Sequence, residues 1–169
     1  MKTLIVVDMQ YDFITDALGT PEAQAIVPNV KRKIEEYLSR GDRVIFTRDT
    51  HHDNYLNSQE GKKLPVPHCI ENTHGWEVIS AIDNPACLHL NKLTFGYMGW
   101  DIRLSKPSEI ELVGVCTDIC VISNALILKA TFREAEITVD ASCCAGVTPE
   151  KHKAALEVMK SCQINVIGE

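Results

Sequence analysis

The chain has 169 residues, of which 45% are hydrophobic and 24% charged, with a formal net charge of -6. Those totals fit one domain over 1–169 with a sizeable core, and leave little room for a second. The acidic balance, unrelieved by any Lys/Arg-rich stretch, argues against a nucleic-acid surface, and no apolar run approaches membrane-spanning length.

Thr3-Leu4-Ile5-Val6-Val7 reads as a first strand, and Asp8 interrupts the apolar segment, so it does not read as a signal peptide. Val30, Ile34, Tyr37 and Leu38 make one apolar helix face, with Gly41 as its stop. Val44-Ile45-Phe46-Thr47 is a second strand, Ala86 to Leu90 a third and Ile110 to Val115 a fourth. A helix then begins near Asp118 and carries Leu126, Leu128 and Phe132. Ile137-Thr138-Val139 is a fifth strand. Thr148-Pro149-Glu150 opens the last helix with a cap residue, a proline and an acid, and Ala155, Val158, Met159 and Cys162 line its inner face. Ile164 to Ile167 closes as a sixth strand.

Strands that read as continuous apolar runs are buried on both faces, which means an α/β protein with a parallel sheet covered by helices. The stretch from Asp49 to about Gly75 is too long for a simple connection and is expected to be functional. Seven cysteines, an odd number scattered through apolar segments, read as reduced thiols in a cytoplasmic protein.

In open parallel sheets, ligands bind beyond the carboxyl ends of the strands. Strand one delivers Asp8 to that rim, strand two Asp49, strand three Lys92, and strand four the turn to Cys120. Singly, each has a commonplace reading: a turn cap, an Asx-turn, a solvated lysine, a small buried thiol. Together they favour catalysis. Cys120 falls in the first helical turn, where unpaired N–H groups and the helix dipole favour a thiolate. Asp8 could accept its proton, Lys92 could stabilise the charged forms, and the N–H groups of Cys116 and Cys120 could hold an oxyanion. Such a set performs acyl transfer.

A second constellation is Asp49-Thr50-His51, followed by Glu60 and His68. Two nitrogens and two carboxylates without thiolate suit Zn²⁺, Mn²⁺ or Fe²⁺. The commonplace reading is chance, since five histidines lie between residues 51 and 89, with His52, Asp53 and His74 as bystanders.

The chain resembles the isochorismatase-like cysteine hydrolases, within them the nicotinamidase/pyrazinamidase branch. The resemblance rests on Val6-Val7-Asp8-Met9-Gln10-Tyr11-Asp12-Phe13, Thr47-Arg48-Asp49-Thr50-His51, Pro67-His68-Cys69, Asn91-Lys92 and, most specifically, Gly114-Val115-Cys116-Thr117-Asp118-Ile119-Cys120-Val121. It implies a three-layer, doubly wound (Rossmann-like), six-stranded parallel sheet with helices on both faces. It also implies an Asp8–Lys92–Cys120 triad and a cis peptide between Val115 and Cys116. For a divalent metal it implies Asp49, His51 and His68; the remaining ligand is assigned to Glu60, with His52 as the fallback, where many relatives have a histidine at the position of Asn57. Phe13 matches an aromatic residue flanking a nicotinamide ring, and Tyr97 or Trp100 could supply a second ring face. The implied reaction is hydrolysis of nicotinamide, and of pyrazinamide, through a thioester, within NAD salvage. The alternatives are another small amide or carbamoyl substrate, or a non-catalytic or redox scaffold using Cys116 and Cys120. Homo-oligomers are common in the family, though no interface signature is visible.

Overall fold

The computed structural model describes residues 1–169. Six strands, β1 Thr3–Val7, β2 Arg43–Asp49, β3 Leu88–Lys92, β4 Glu109–Val115, β5 Glu136–Ala145 and β6 Asn165–Ile167, form one parallel sheet in the order β3-β2-β1-β4-β5-β6. All five residues of β1 are buried, as its uninterrupted apolar run predicts for a central strand. The chain winds outward from β1 in one direction through β2 and β3, then returns to β4 on the other side of β1. The carboxyl ends of β1 and β4 therefore lie where strand order reverses, which is where this architecture opens a crevice.

Alternation along β1 sends Leu4 and Val6 into one core layer and Ile5 and Val7 into the other. The first layer is covered by α1 Tyr11–Ile14, α2 Pro21–Ala25 and α3 Val27–Ser39, with Ile14, Ala23, Val30, Ile34 and Tyr37 turned inward. On the other face, Trp100 packs with helices that follow β4 and β5. Four helices complete the set: α4 Gln59–Lys63, α5 Trp100–Arg103, α6 Ile122–Thr131 and α7 Pro149–Ser161. The α7 start is as read: the Thr148 hydroxyl accepts from Lys151 N at 3.2 Å and Pro149 occupies the first turn. No helix is long and apolar enough to cross a membrane.

Several boundaries differ from the sequence reading. β3 starts two residues late, because Asn84 captures the N–H groups of Ala86 and Cys87 in a turn. It is an edge strand with only Leu90 and Lys92 buried, so apolar continuity was a poor guide to it. β5 runs to Ala145 rather than Val139, since after a register shift Cys144 and Ala145 pair with Gly114 and Val115. On α7 the inner face uses Leu156, while Val158 and Cys162 point to solvent. Leu38 and Leu126 are partly exposed, and Phe132 lies just past the end of α6. Both strands that pair with β1 contribute to the crevice, and Gly114 shows how tightly they approach. Its φ is +118°, and a Cβ there would collide with the Val7 carbonyl, so only glycine fits.

Candidate active site

Asp8 directly follows β1 and turns the chain with a φ of +51°, a left-handed conformation that costs a non-glycine residue free energy. The side chain is fully buried. Its Oδ1 accepts from the Thr47 hydroxyl at 2.7 Å. Its Oδ2 is ion-paired with Lys92 Nζ at 2.7 Å. Lys92, the last residue of β3, also reaches Asp49 Oδ1 at 3.2 Å and Cys120 Sγ at 3.5 Å. The structure thus gathers Asp8, Lys92 and Cys120 around one ammonium.

Cys120 sits in a wide helical turn, Thr117–Val121, that precedes α6; the Cys116 carbonyl accepts from both Ile119 N and Val121 N at 3.0 Å. The Val115–Cys116 peptide is cis. The expected helix-start bias toward thiolate is outweighed. Burial pushes the Cys120 thiol well up, the Asp8 carboxylate adds to this, Lys92 opposes, and Asp49 adds again. Asp8 is raised as well, by burial first, with Lys92 opposing and Asp49 reinforcing. Lys92 stays firmly charged: burial disfavours the ammonium, but Asp8, Cys120 and Asp49 together overcome that cost. Burial thus works against the charged forms of both Asp8 and Cys120 beside a firmly charged Lys92, and a thiol raised in this way needs a base to become a strong nucleophile. Cys116 is also a poor nucleophile, pushed up to about 12 by burial and then by Asp118 and Asp8.

Asp49 joins this group to the second one. Its Oδ1 faces Lys92, while its Oδ2 lies 3.0 Å from His51 Nε2 and 3.6 Å from His68 Nε2. Glu60 Oε1 is 3.6 Å and 3.9 Å from the same two nitrogens. One potential ligand atom from each of Asp49, His51, Glu60 and His68 lies within 4.8 Å of the others. Burial works against the Asp49 carboxylate, yet hydrogen bonds from His51 and His68 and the charge of Lys92 hold it below the usual carboxylate range. His68 Nδ1 donates to the Val66 carbonyl at 2.8 Å, and Nε2 is turned toward Asp49 and Glu60. The donor set therefore fits a divalent metal of the Zn²⁺, Mn²⁺ or Fe²⁺ type. Glu60 arrives because Ser58 caps α4, its hydroxyl accepting from Gly61 N at 2.9 Å. His52 stays outside, exposed and 3.6 Å from Glu71.

Both groups open on one cavity of about 600 Å³, whose deep end holds Asp49, His68 and Cys120. Phe13 lines it, its ring centroid 5.5 Å from that of His68. Tyr97 does not line it. That ring packs edge-on against the fully buried Trp100 at 5.1 Å, and Phe95 faces the cavity in its place. The loop has this shape because Asn124 Oδ1 accepts from Tyr97 N at 2.9 Å and from Trp100 Nε1 at 3.2 Å, while its Nδ2 donates to the Cys120 carbonyl at 2.8 Å.

Asn124 carried no signal in the sequence, being one polar residue in an apolar helix. Gln10, within the motif that follows β1, has no reactive group to mark it. It clamps the Asp49 backbone, accepting from its N–H at 2.7 Å and donating to its carbonyl at 2.9 Å. Asp12 similarly accepts from Cys69 N at 2.7 Å, beside His68.

An isochorismatase domain model matches residues 2–168. The nicotinamidase/pyrazinamidase of Mycobacterium tuberculosis is 25% identical over 189 residues, covering 99% of this chain and 98% of its own. Among solved structures, the pyrazinamidase of Pyrococcus horikoshii in complex with zinc superposes with a TM-score of 0.86 at 30% identity, over 99% of both chains. The N-carbamoylsarcosine amidase of Thermoplasma acidophilum does so with a TM-score of 0.80 at 25% identity, over 98% of this chain and 95% of that one. A family match over nearly the whole chain means that the chain belongs to the isochorismatase domain family.

Proposed function

We propose that this protein is a metal-containing cysteine amidohydrolase that converts nicotinamide and water to nicotinate and ammonia, and accepts pyrazinamide in the same way. The observation that carries this reading is the shared cavity, where a buried thiol beside Asp8 and Lys92 opens next to two imidazoles and two carboxylates. The similarity to a curated nicotinamidase/pyrazinamidase supports it.

In this reading, Asp8 Oδ2 takes the Cys120 proton as Sγ attacks the amide carbon. The N–H groups of Cys116 and Cys120 bind the oxyanion. Asp8 returns the proton to the amide nitrogen, which leaves as ammonia, and a thioester remains on Sγ. A water then gives its proton to Asp8 while its oxygen attacks the thioester carbon; nicotinate leaves and Cys120 regains its proton. Lys92 holds Asp8 and the sulfur in register and offsets the negative charge that passes between them. Phe13 and Phe95 flank the ring and exclude water.

Asp49, His51, Glu60 and His68 would hold the metal, and zinc is the ion named with the Pyrococcus horikoshii pyrazinamidase. When bound it supplies a Lewis-acid contact for a ring nitrogen, which orients the carboxamide.

The second reading, a carbamoyl substrate, rests on the similarity to an N-carbamoylsarcosine amidase. Ammonia release from nicotinamide, pyrazinamide and N-carbamoylsarcosine by metal-replete protein separates the two. Turnover of the pyridine and pyrazine amides is expected. No release from nicotinamide would end the leading proposal, and release from the carbamoyl compound alone would establish the second.

A further inference from the structure

The cavity is larger than a pyridine carboxamide needs. Nicotinamide has nine non-hydrogen atoms; at no more than about 30 Å³ each, the share of a water in the liquid, they occupy on the order of 270 Å³. That is less than half of the 600 Å³ available. The remainder lies toward solvent, because the reactive end is buried whereas Leu64 and Val147 on the walls are partly exposed.

Charge is divided along the same axis. The acids lining the cavity are Asp49 and Glu60, and both face the histidines at the deep end. Two lining cations come from different elements: Lys63 from α4, three residues beyond Glu60, and Lys151 from the first turn of α7. Both side chains are exposed, and no cavity carboxylate is left to pair with them. Much of the remaining lining is apolar, with Phe13, Leu64, Phe95, Ile119 and Val147.

A buried amide-cleaving end, a largely apolar lining and a cationic mouth describe a ligand with three matching parts. We infer that the outer cavity is a subsite for a carboxylate, so that the preferred amides are longer than nicotinamide and bear a carboxylate on the side remote from the amide. The inference rests on the proposed amidase reading for the deep end, and concerns only which ring substituents the mouth selects.

Exposed lysines give modest electrostatic gains, so two of them acting on one carboxylate amount to a preference of about 3- to 10-fold, weaker in high salt. The test is calorimetric binding to metal-replete Cys120→Ala protein, which separates binding from turnover. Two probes are compared: a pyridine-3-carboxamide with a propionate side chain on ring carbon 5, and its methyl ester. The acid is expected to bind at least 3-fold tighter at low salt. That preference should vanish in Lys63→Ala/Lys151→Ala and persist in Lys63→Arg/Lys151→Arg. Equal binding of acid and ester, undetectable binding of the acid, or a preference that survives the double alanine change would overturn the inference. Turnover of nicotinamide by wild type is measured separately. If it fails while the acid preference holds, the nicotinamidase reading falls and the carboxylate subsite stands.

Discussion

Asp8→Asn is the substitution that most cleanly isolates base catalysis in this site. Asparagine has the same shape, and its Oδ1 can still accept the 2.7 Å hydrogen bond from Thr47. What disappears is the carboxylate oxygen that pairs with Lys92 at 2.7 Å; Lys92 keeps Asp49 at 3.2 Å. An amide NH2 then faces the buried ammonium, and breaking a buried ion pair costs about 3–5 kcal/mol, although burial already disfavours the Asp8 carboxylate and offsets part of that. For a chain of this size that lowers the melting temperature by roughly 6–20 °C. Catalysis should not tolerate the change. Removing a positioned general base costs on the order of 10²–10⁴ in rate, or about 2.7–5.5 kcal/mol of barrier. The raised Cys120 thiol makes the upper part of that range the expectation, since little thiolate forms without help. Steady-state ammonia release gives kcat, and calorimetric melting gives stability. A folded Asp8→Asn protein retaining more than a tenth of wild-type kcat would refute the assignment of Asp8 as the base.

Further substitutions probe the remaining parts. Glu60→Ala removes one of four converging donors and should weaken metal binding about 10- to 100-fold in chelator competition; unchanged affinity would show that Glu60 is not the fourth ligand. Gly114→Ala forces a Cβ into the Val7 carbonyl at a φ of +118° and should cost at least about 1–3 kcal/mol in urea unfolding, with β1 and β4 pushed apart. Lys33 bridges Glu111 and Asp140 at 2.8 Å each, and Lys33→Met should destabilise by about 3–5 kcal/mol, because two largely buried carboxylates lose their partner. Burial works against the Asp140 carboxylate, but Lys33 and Ser142 hold it below the usual range. Its contribution is present above its unfolded value near pH 3.9 and is lost as pH falls through the depressed folded value. The stability deficit of Asp140→Asn, followed by chemical denaturation, should therefore be larger at pH 7 than at pH 3.

The central strands were legible because burial on both faces demands unbroken apolar runs, which β1 and β4 supply. The rim was legible for a related reason: Asp8, Asp49, Lys92 and Cys120 each follow or end such a run. Glu60 falls in a stretch too long to be a mere connection, but its choice as a ligand came from the family resemblance, and it arrives on α4 rather than on a loop. β3 misled because an edge strand with one apolar wall need not be apolar throughout. The ring pocket misled because Tyr97, Trp100 and Phe95 are equivalent in sequence. Their fates are decided by Asn124, a tertiary hydrogen-bonding hub that no local pattern announces. A helix start beside Cys120 is visible in sequence, whereas the burial that raises its thiol is a product of tertiary packing.

The account turns on covalent catalysis by Cys120, and the measurement closest to that claim is mass spectrometry of acid-quenched protein during turnover of nicotinamide. It predicts a nicotinoyl thioester on the peptide that contains Cys120, formed by wild type and absent from Cys120→Ala, which should also release no ammonia. Ammonia release by Cys120→Ala at a rate near that of wild type, with no adduct on any cysteine, would contradict it.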